Sequence, residues 1–287
     1  MESRDTFLLG GDFPVARIGF GAMQLPTAPT DARTTSVAVL RRAVALGVTL
    51  IDTAHLYGWG SNEELVAEAL RPYPEDVLVA TKVGVVRDPV SGDWGYDARP
   101  ESLRSQVDEA LRRLGTERLG LLQLHRLDPQ TPLVDQVGTL GDLRREGKIA
   151  RIGLSEVTAD ELDAARQVVE IASVQNRYNV FDRAYEPVLA ACEGAGIAFL
   201  PWRPVAGAMA DTPASAVVVE IATELGASPA QVALAWLLAH SPVIVPIPGT
   251  KQISHLEGNV RAGDLVLTNA HVSRLDALND TRSPAPS

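Results

Sequence analysis

At 287 residues, 46% of them hydrophobic, the chain can build a large core, and its length suits one α/β barrel. A formal net charge of −10 argues against a general nucleic-acid or membrane-surface partner. The single cysteine, Cys192, excludes an intramolecular disulfide framework and a cysteine-built zinc site, and in the apolar stretch VLAACEGAG it reads as a buried structural thiol.

The start, MESRDTFLLGGDF, lacks a basic segment followed by an apolar one, so no signal peptide is expected. No apolar run reaches the ~18 residues of a membrane span. The cytoplasm is the default location. Residues 6–15 (TFLLGGDFPV) predict a hairpin around Gly-Gly-Asp. ARIGFGAMQL follows as a strand entering a glycine-bearing loop, then the helix SVAVLRRAVALG with Gly47 as its stop. VTLID is a buried strand ending at Asp52, and the loop beyond it carries Tyr57. NEELVAEALRPYP is a helix closed by prolines, and VLVATK a strand ending at Lys82. Residues 85–98 (VVRDPVSGDWGYDA) break the rhythm and read as a long loop, with Trp94 and Tyr96 available to a substrate.

PESLRSQVDEALRRLG is a helix between Pro100 and Gly115, and LGLLQLH a strand ending at His125. Helix, strand, helix and strand then alternate through PLVDQVGTLGDLRREGK, IARIGLSE, TADELDAARQVVE and SVQNRYN. AYEPVLAACEGAG is a helix and IAFLPW a strand. Two helices, ASAVVVEIATELG and SPAQVALAWLLAHS, precede the strand VIVPIPG, and ISHLEGNVRAG and TNAHVSRLDALN close the chain as helices. Barrel-type strands thus begin near residues 16, 48, 77, 118, 150, 173, 196 and 243. This alternation predicts an α/β fold, a single (β/α)8 TIM barrel over 1–287. It carries an N-terminal β-hairpin within 1–15, extra C-terminal helices and a frayed tail at 281–287.

Active sites of such barrels lie at the carboxyl ends of the strands. Asp52, Lys82 and His125 end three of them and Tyr57 follows one, so one rim gathers an acid, an amine, an imidazole and a phenol. A phenol with a free pKa of ~10 is a poor acid near neutral pH. A nearby ammonium favours the phenolate and lowers that value. Asp52 would anchor the Lys82 ammonium, and His125 would bind the substrate oxygen or orient the phenol. The set suits hydride transfer to an aldehyde or ketone. Each residue alone has an ordinary alternative: a loop cap for the Asp, a surface ion pair for the Lys, a structural role for the His.

His55, His240 and His271 show no paired metal spacing, so no metal site is expected. GFGAMQ fails the dinucleotide fingerprint because Gln24 takes its third glycine. PIPGTK lacks the first glycine of a phosphate loop, yet Gly249, Thr250 and Lys251 follow the last strand and precede a helix, where barrels bind phosphate. No GxSxG elbow appears, which disfavours acyl transfer.

In order, GFGAM, IDTAHLYG, ATK, LLQLH, IGLSE, VQNRYN, PWRPVAG, QVALAWLL and IPGTKQISHLEGN resemble the motifs of the aldo-keto reductases over nearly the whole chain. The bacterial branch that includes pyridoxal reductases (pyridoxine 4-dehydrogenases) looks most similar. The resemblance implies an NADP(H)-dependent carbonyl reductase with Tyr57 as general acid, tuned by Lys82 and Asp52, with His125 binding the carbonyl. It places Gly21, Ala22, Met23 and Asp52 near the nicotinamide, Ser155 and Gln175 on the carboxamide, and Trp202 against the ring. Arg203 and Pro204 would line the pyrophosphate path. Gly249, Thr250, Lys251, His255 and Asn259 would surround the adenosine and its 2′-phosphate.

Three residues depart from the family pattern: Glu156 for Asn beside the carboxamide serine, Arg203 for Ser, and His255 for the Arg of NADP-preferring members. Histidine is the weaker phosphate partner, which leaves NAD(H) as a second cofactor. Trp59, Trp94, Tyr96, Arg126 and Trp202 are pocket candidates for a small-molecule carbonyl substrate. The alternative for Arg126 is an ion pair with Asp128. Two rival readings remain: a non-catalytic NADP-binding partner, as potassium-channel β-subunits are, and an aldolase or isomerase using Lys82 as a Schiff base, which needs a neutral amine.

Overall fold

The structure, a computed structural model, describes residues 6–88 and 90–278. The tail expected at 281–287 and residues 1–5 lie outside the described residues. β1 (Thr6–Leu9) and β2 (Phe13–Ala16) form the expected hairpin, in register from Thr6↔Ala16 to Leu9↔Phe13.

The repeating units follow. β3 (Phe20–Gly21) leads to α1 (Thr30–Ala45), and β4 (Leu50–Asp52) to α2 (Ser61–Leu70). After β5 (Leu78–Val83), residues 85–98 are not an irregular loop. They fold as an antiparallel hairpin, β6 (Val85–Arg87) with β7 (Trp94–Tyr96). Asp88 builds its turn, with Oδ1 accepting from the N–H of Val90 and of Ser91 at 2.8 and 2.7 Å. α3 (Pro100–Leu114), β8 (Leu121–Leu124), α4 (Leu133–Arg145), β9 (Ile152–Ser155) and α5 (Ala159–Arg166) come next. Then come β10 (Ser173–Gln175), α6 (Glu186–Ala195), β11 (Ala198–Phe199), α7 (Pro213–Leu225), α8 (Pro229–His240), α9 (Ile253–Arg261) and α10 (Asn269–Asp276). α1 starts six residues before the apolar stretch at Ser36, because Thr30 and Asp31 open it on polar turns that carry no apolar signal.

Seven strands form one parallel sheet, ordered β11-β10-β9-β8-β5-β4-β3. The eighth strand predicted near 243 is not a regular one. Pro246 and Pro248 have no N–H to give a ladder, and only Ile244 makes a bridge, to Phe199. The segment still joins the two edges. Val245 N–H donates to the Phe199 carbonyl (2.9 Å), and Gly19 and Gly21 donate to the carbonyls of Pro246 (2.9 Å) and Pro248 (3.3 Å). The sheet therefore closes as a barrel.

Strand periodicity separates two cores. Leu50, Leu78, Ala80, Leu121, Ala198, Leu200, Val245 and Ile247 pack inside the barrel, and Leu9 and Val15 of the hairpin close its floor. Ile51, Leu122, Leu124, Ile152, Leu154 and Val174 face outward into the helical layer. Continuing the inward rows by two residues gives Asp52, Lys82 and Gln123, all at the opposite end from the hairpin. Cys192 is fully buried in the outer core, and burial pushes its thiol pKa up to about 12. Among the described residues no single helix is long and apolar enough to cross a membrane.

Candidate active site

Asp52 ends β4 on an inward position, level with Ala80, while Lys82 sits two residues further along β5, level with Gln123. That stagger brings the Lys82 ammonium over the carboxylate, at 2.8 Å from Oδ1 and 2.7 Å from Oδ2. Both residues are buried, Lys82 completely. A buried ion pair needs its remaining groups satisfied. Here Lys82 also donates to the Thr53 carbonyl (2.9 Å), and Asp52 Oδ1 accepts from Gln175 (2.8 Å) and Gln123 (3.3 Å).

Lys82 gives a further hydrogen bond, 3.2 Å long, to the Tyr57 hydroxyl. The phenol oxygen accepts that bond, so its own O–H is left to donate elsewhere. The turn that carries Tyr57 is built from left-handed residues, Gly58 (φ 61°), Trp59 (φ 53°) and Gly60 (φ 96°). Trp59 adopts this conformation without a glycine's freedom, a strain that gathers at functional sites. Asn62 ties the turn down: it accepts from the Thr53 hydroxyl (2.7 Å) and donates to the Ala22 carbonyl (3.0 Å). The fully buried Glu63 accepts from the Thr81 hydroxyl and from Arg113, both at 2.6 Å. Gln123, Asn62 and Glu63 escaped sequence reading. Each looks like an ordinary strand or helix residue until the inward face of β8, or the start of α2 under the Tyr57 turn, is known.

His125 closes the group edge-on to Tyr57, with ring centroids 6.0 Å apart. Burial, then the charges of Lys82 and Arg126, hold its pKa well below the usual imidazole value, so the ring is neutral at pH 7. Its Nδ1 is buried without a partner. Burial opposes the Lys82 charge, but Asp52 and Tyr57 outweigh it and raise the lysine pKa. A Schiff-base mechanism needs the opposite, a neutral amine. For Tyr57 the expected lowering by the ammonium is present but loses. Burial dominates and raises its pKa, and the Asp52 charge adds to burial.

Around these residues, Arg126 makes no ion pair with Asp128. Its Nη1 donates to the His125 carbonyl (2.6 Å) and the Ser155 hydroxyl (3.2 Å). Asp128 instead accepts from the Ala98 and Gln130 N–H groups and the Thr131 hydroxyl. Trp94 and Tyr96 stack edge to face at 5.4 Å and are about half exposed, and Arg87 of the same hairpin lies 5.7 Å from the Trp59 ring. Trp202 is half-buried, and its Nε1–H donates to Glu156 (2.5 Å). Arg203 lies over the Trp202 ring at 5.6 Å, with φ of 52°, and Pro204 is buried beside it.

The barrel seam links this group to α9. Gly21 pairs with Asp52 in register, and a Cβ on Gly21 would meet the Ile247 carbonyl at 2.8 Å. A Cβ on Gly249 would meet the Gly21 carbonyl at 2.6 Å. Both glycines are thus required by close backbone packing. Ala22 is buried and Met23 is 53% exposed. Thr250 and Asn259 are buried, while Lys251 and His255 are exposed and make no ion pair among the described residues. The N-terminus of α9 has no side-chain cap and no acid in its first turn, leaving N–H groups free for an anion. An exposed methionine, an edge-held indole and an uncapped basic helix start along one rim fit an extended anionic dinucleotide. Among the described residues no group of three His, Cys, Asp or Glu side chains is placed to hold a metal.

Comparison with known proteins finds relatives along nearly the whole chain. The model of the aldo/keto reductase family matches residues 17–280. An uncharacterized oxidoreductase of Schizosaccharomyces pombe is 40% identical over 93% of this chain and 87% of its own. Pyridoxine 4-dehydrogenase of Escherichia coli is 38% identical over 96% of this chain and 99% of its own. Among solved structures, an aldo/keto reductase from Klebsiella pneumoniae in complex with NADP and acetate superposes with a TM-score of 0.85 at 28% identity, covering 99% of both chains.

Proposed function

The chain belongs to the aldo/keto reductase family of oxidoreductases, and from that premise we propose that it reduces an aldehyde or ketone to an alcohol with NADPH, using Tyr57 as the general acid. One observation carries the reading: the Tyr57 hydroxyl accepts from a Lys82 ammonium that is itself locked onto Asp52. The bound cofactor would supply the hydride. Tyr57 would give its free proton to the carbonyl oxygen, and Lys82 would stabilise the phenolate left behind. Asp52 keeps Lys82 charged, with Gln175 and Gln123 holding the carboxylate in place. His125, neutral at pH 7, holds the carbonyl oxygen against the phenol.

Gly21, Ala22, Met23, Ser155, Gln175 and Trp202 would hold the nicotinamide end, and Arg203 and Pro204 the pyrophosphate. Gly249, Thr250, Lys251, His255 and Asn259 would take the adenosine end. Trp59, Trp94, Tyr96 and Arg126 would line the substrate pocket. The relation to a pyridoxine 4-dehydrogenase makes pyridoxal the first carbonyl to try.

The test is titration with NADPH and NADH, followed through quenching of tryptophan fluorescence, and then turnover of pyridoxal and other carbonyls. Saturable NADPH binding, weaker NADH binding and NADPH consumption are expected. Lys251→Ala should raise the KM for NADPH far more than that for NADH. Binding of neither nucleotide would overturn the reading, and equal effects on both would remove Lys251 from the 2′-phosphate.

A further inference from the structure

Glu156 follows the last residue of β9 and holds a left-handed backbone, φ 56°, a conformation that suits Asn far better than Glu. Its side chain is a hub with three donors. Oε1 accepts from Trp202 Nε1 (2.5 Å) and from the Arg177 N–H (2.7 Å), and Oε2 from the Tyr185 hydroxyl (3.1 Å). Two of these donors, an indole and an amide, can only donate, so the geometry is that of an acceptor carboxylate. Its charge has no cationic partner: among the described residues Glu156 makes no ion pair. The Arg177 guanidinium is 2.7 Å from Asp182, and Arg126 is occupied by His125 and Ser155. Arg203 lies over the Trp202 face rather than on the carboxylate. The charge is felt locally: burial first, then Glu156, push the Tyr185 pKa up to about 12.

We propose that Glu156 pins the Trp202 indole by its edge and sets a fixed negative charge beside the nicotinamide subsite, so that the site favours the cationic oxidised ring over the neutral reduced one. This rests on the cofactor reading above and deepens it. An asparagine or glutamine can hold the indole N–H equally well but carries no charge. Glu156 therefore adds a term that acts on one redox form alone, and it poises the bound cofactor toward giving up its hydride, in the direction of carbonyl reduction. Glu156 is a positioning and electrostatic residue, not a catalytic residue.

The test is calorimetric titration of NADP+ and NADPH into the wild type, Glu156→Gln and Glu156→Asn at one ionic strength. Glu156→Asn suits the left-handed backbone and guards against a folding defect in Glu156→Gln. In general, a partly solvated unit charge within about 7 Å of a cation changes its affinity by roughly tenfold. Both variants should therefore raise the ratio of the NADP+ Kd to the NADPH Kd about tenfold, with the NADPH Kd nearly unchanged. A ratio within twofold of the wild type, including a parallel loss of both nucleotides, would overturn the proposal. A wild type that binds neither nucleotide would instead overturn the cofactor reading.

Discussion

Lys82 and His125 share one buried cluster, where burial lowers both pKa values, but their neighbours' charges drive them in opposite directions. Lys82 has a carboxylate at 2.7 Å and stays charged, while His125 faces two cations from a buried position and stays neutral. The consequence for stability has a definite sign. The native His125 resists protonation, whereas the unfolded chain takes up a proton below pH ~6.5. The native state then binds fewer protons than the unfolded one, and stability falls as the pH drops through that value. Urea unfolding at pH 7.5 and 5.5 should show a larger acid loss in the wild type than in His125→Gln; equal losses would contradict a neutral buried ring. The identities of Asp52, Tyr57, Lys82 and His125 were legible in the sequence because each sits at or just beyond a strand end. The balance on Tyr57 was not, since the sequence names the ammonium but says nothing of how deeply the phenol is buried. Glu156 was legible as a departure from the family pattern, and only the folded chain brings Trp202, Tyr185 and the Arg177 N–H onto its carboxylate.

Among the elements, the strands carried the clearest signal because both faces are buried and their apolar runs are continuous. The last strand is the exception. The residues VIVPIPG are apolar enough for a barrel strand, but Pro246 and Pro248 restrict it to a few hydrogen bonds across the seam. Residues 85–98 misled for the converse reason. Gly, Pro, Ser and Asp mark the tip of a hairpin as readily as a loop, and the short arms Val85–Arg87 and Trp94–Tyr96 alternate too briefly to declare themselves. The seam itself makes a prediction. Gly249→Ala puts a methyl group 2.6 Å from the Gly21 carbonyl, and backbone cannot yield as a side chain can. It should destabilise the protein by about 1–3 kcal/mol. Gly258→Ala, in α9 with nothing within 4 Å of the new methyl, should stabilise it by about 0.5–1 kcal/mol. Urea midpoints that fail to separate in this order would refute the seam.

For the whole molecule, the barrel puts stability and chemistry at opposite ends. The β1–β2 hairpin seals the floor with Leu9 and Val15, and the far rim carries the buried ion pair and the open turns. Alternation of strands and helices was enough to predict this architecture from the sequence. Closure was not predictable in detail, because it depends on how a proline-bearing segment meets β3 and β11. In the proposed function, the far rim is one proton-delivery device with Tyr57 at its tip. Tyr57→Phe removes one oxygen from a half-buried ring and leaves the Lys82–Asp52 pair intact. NADPH titration and single-substrate turnover on this variant should give unchanged nucleotide binding and a fall in carbonyl reduction of at least about 100-fold. Unimpaired turnover would contradict the assignment of Tyr57 as the acid.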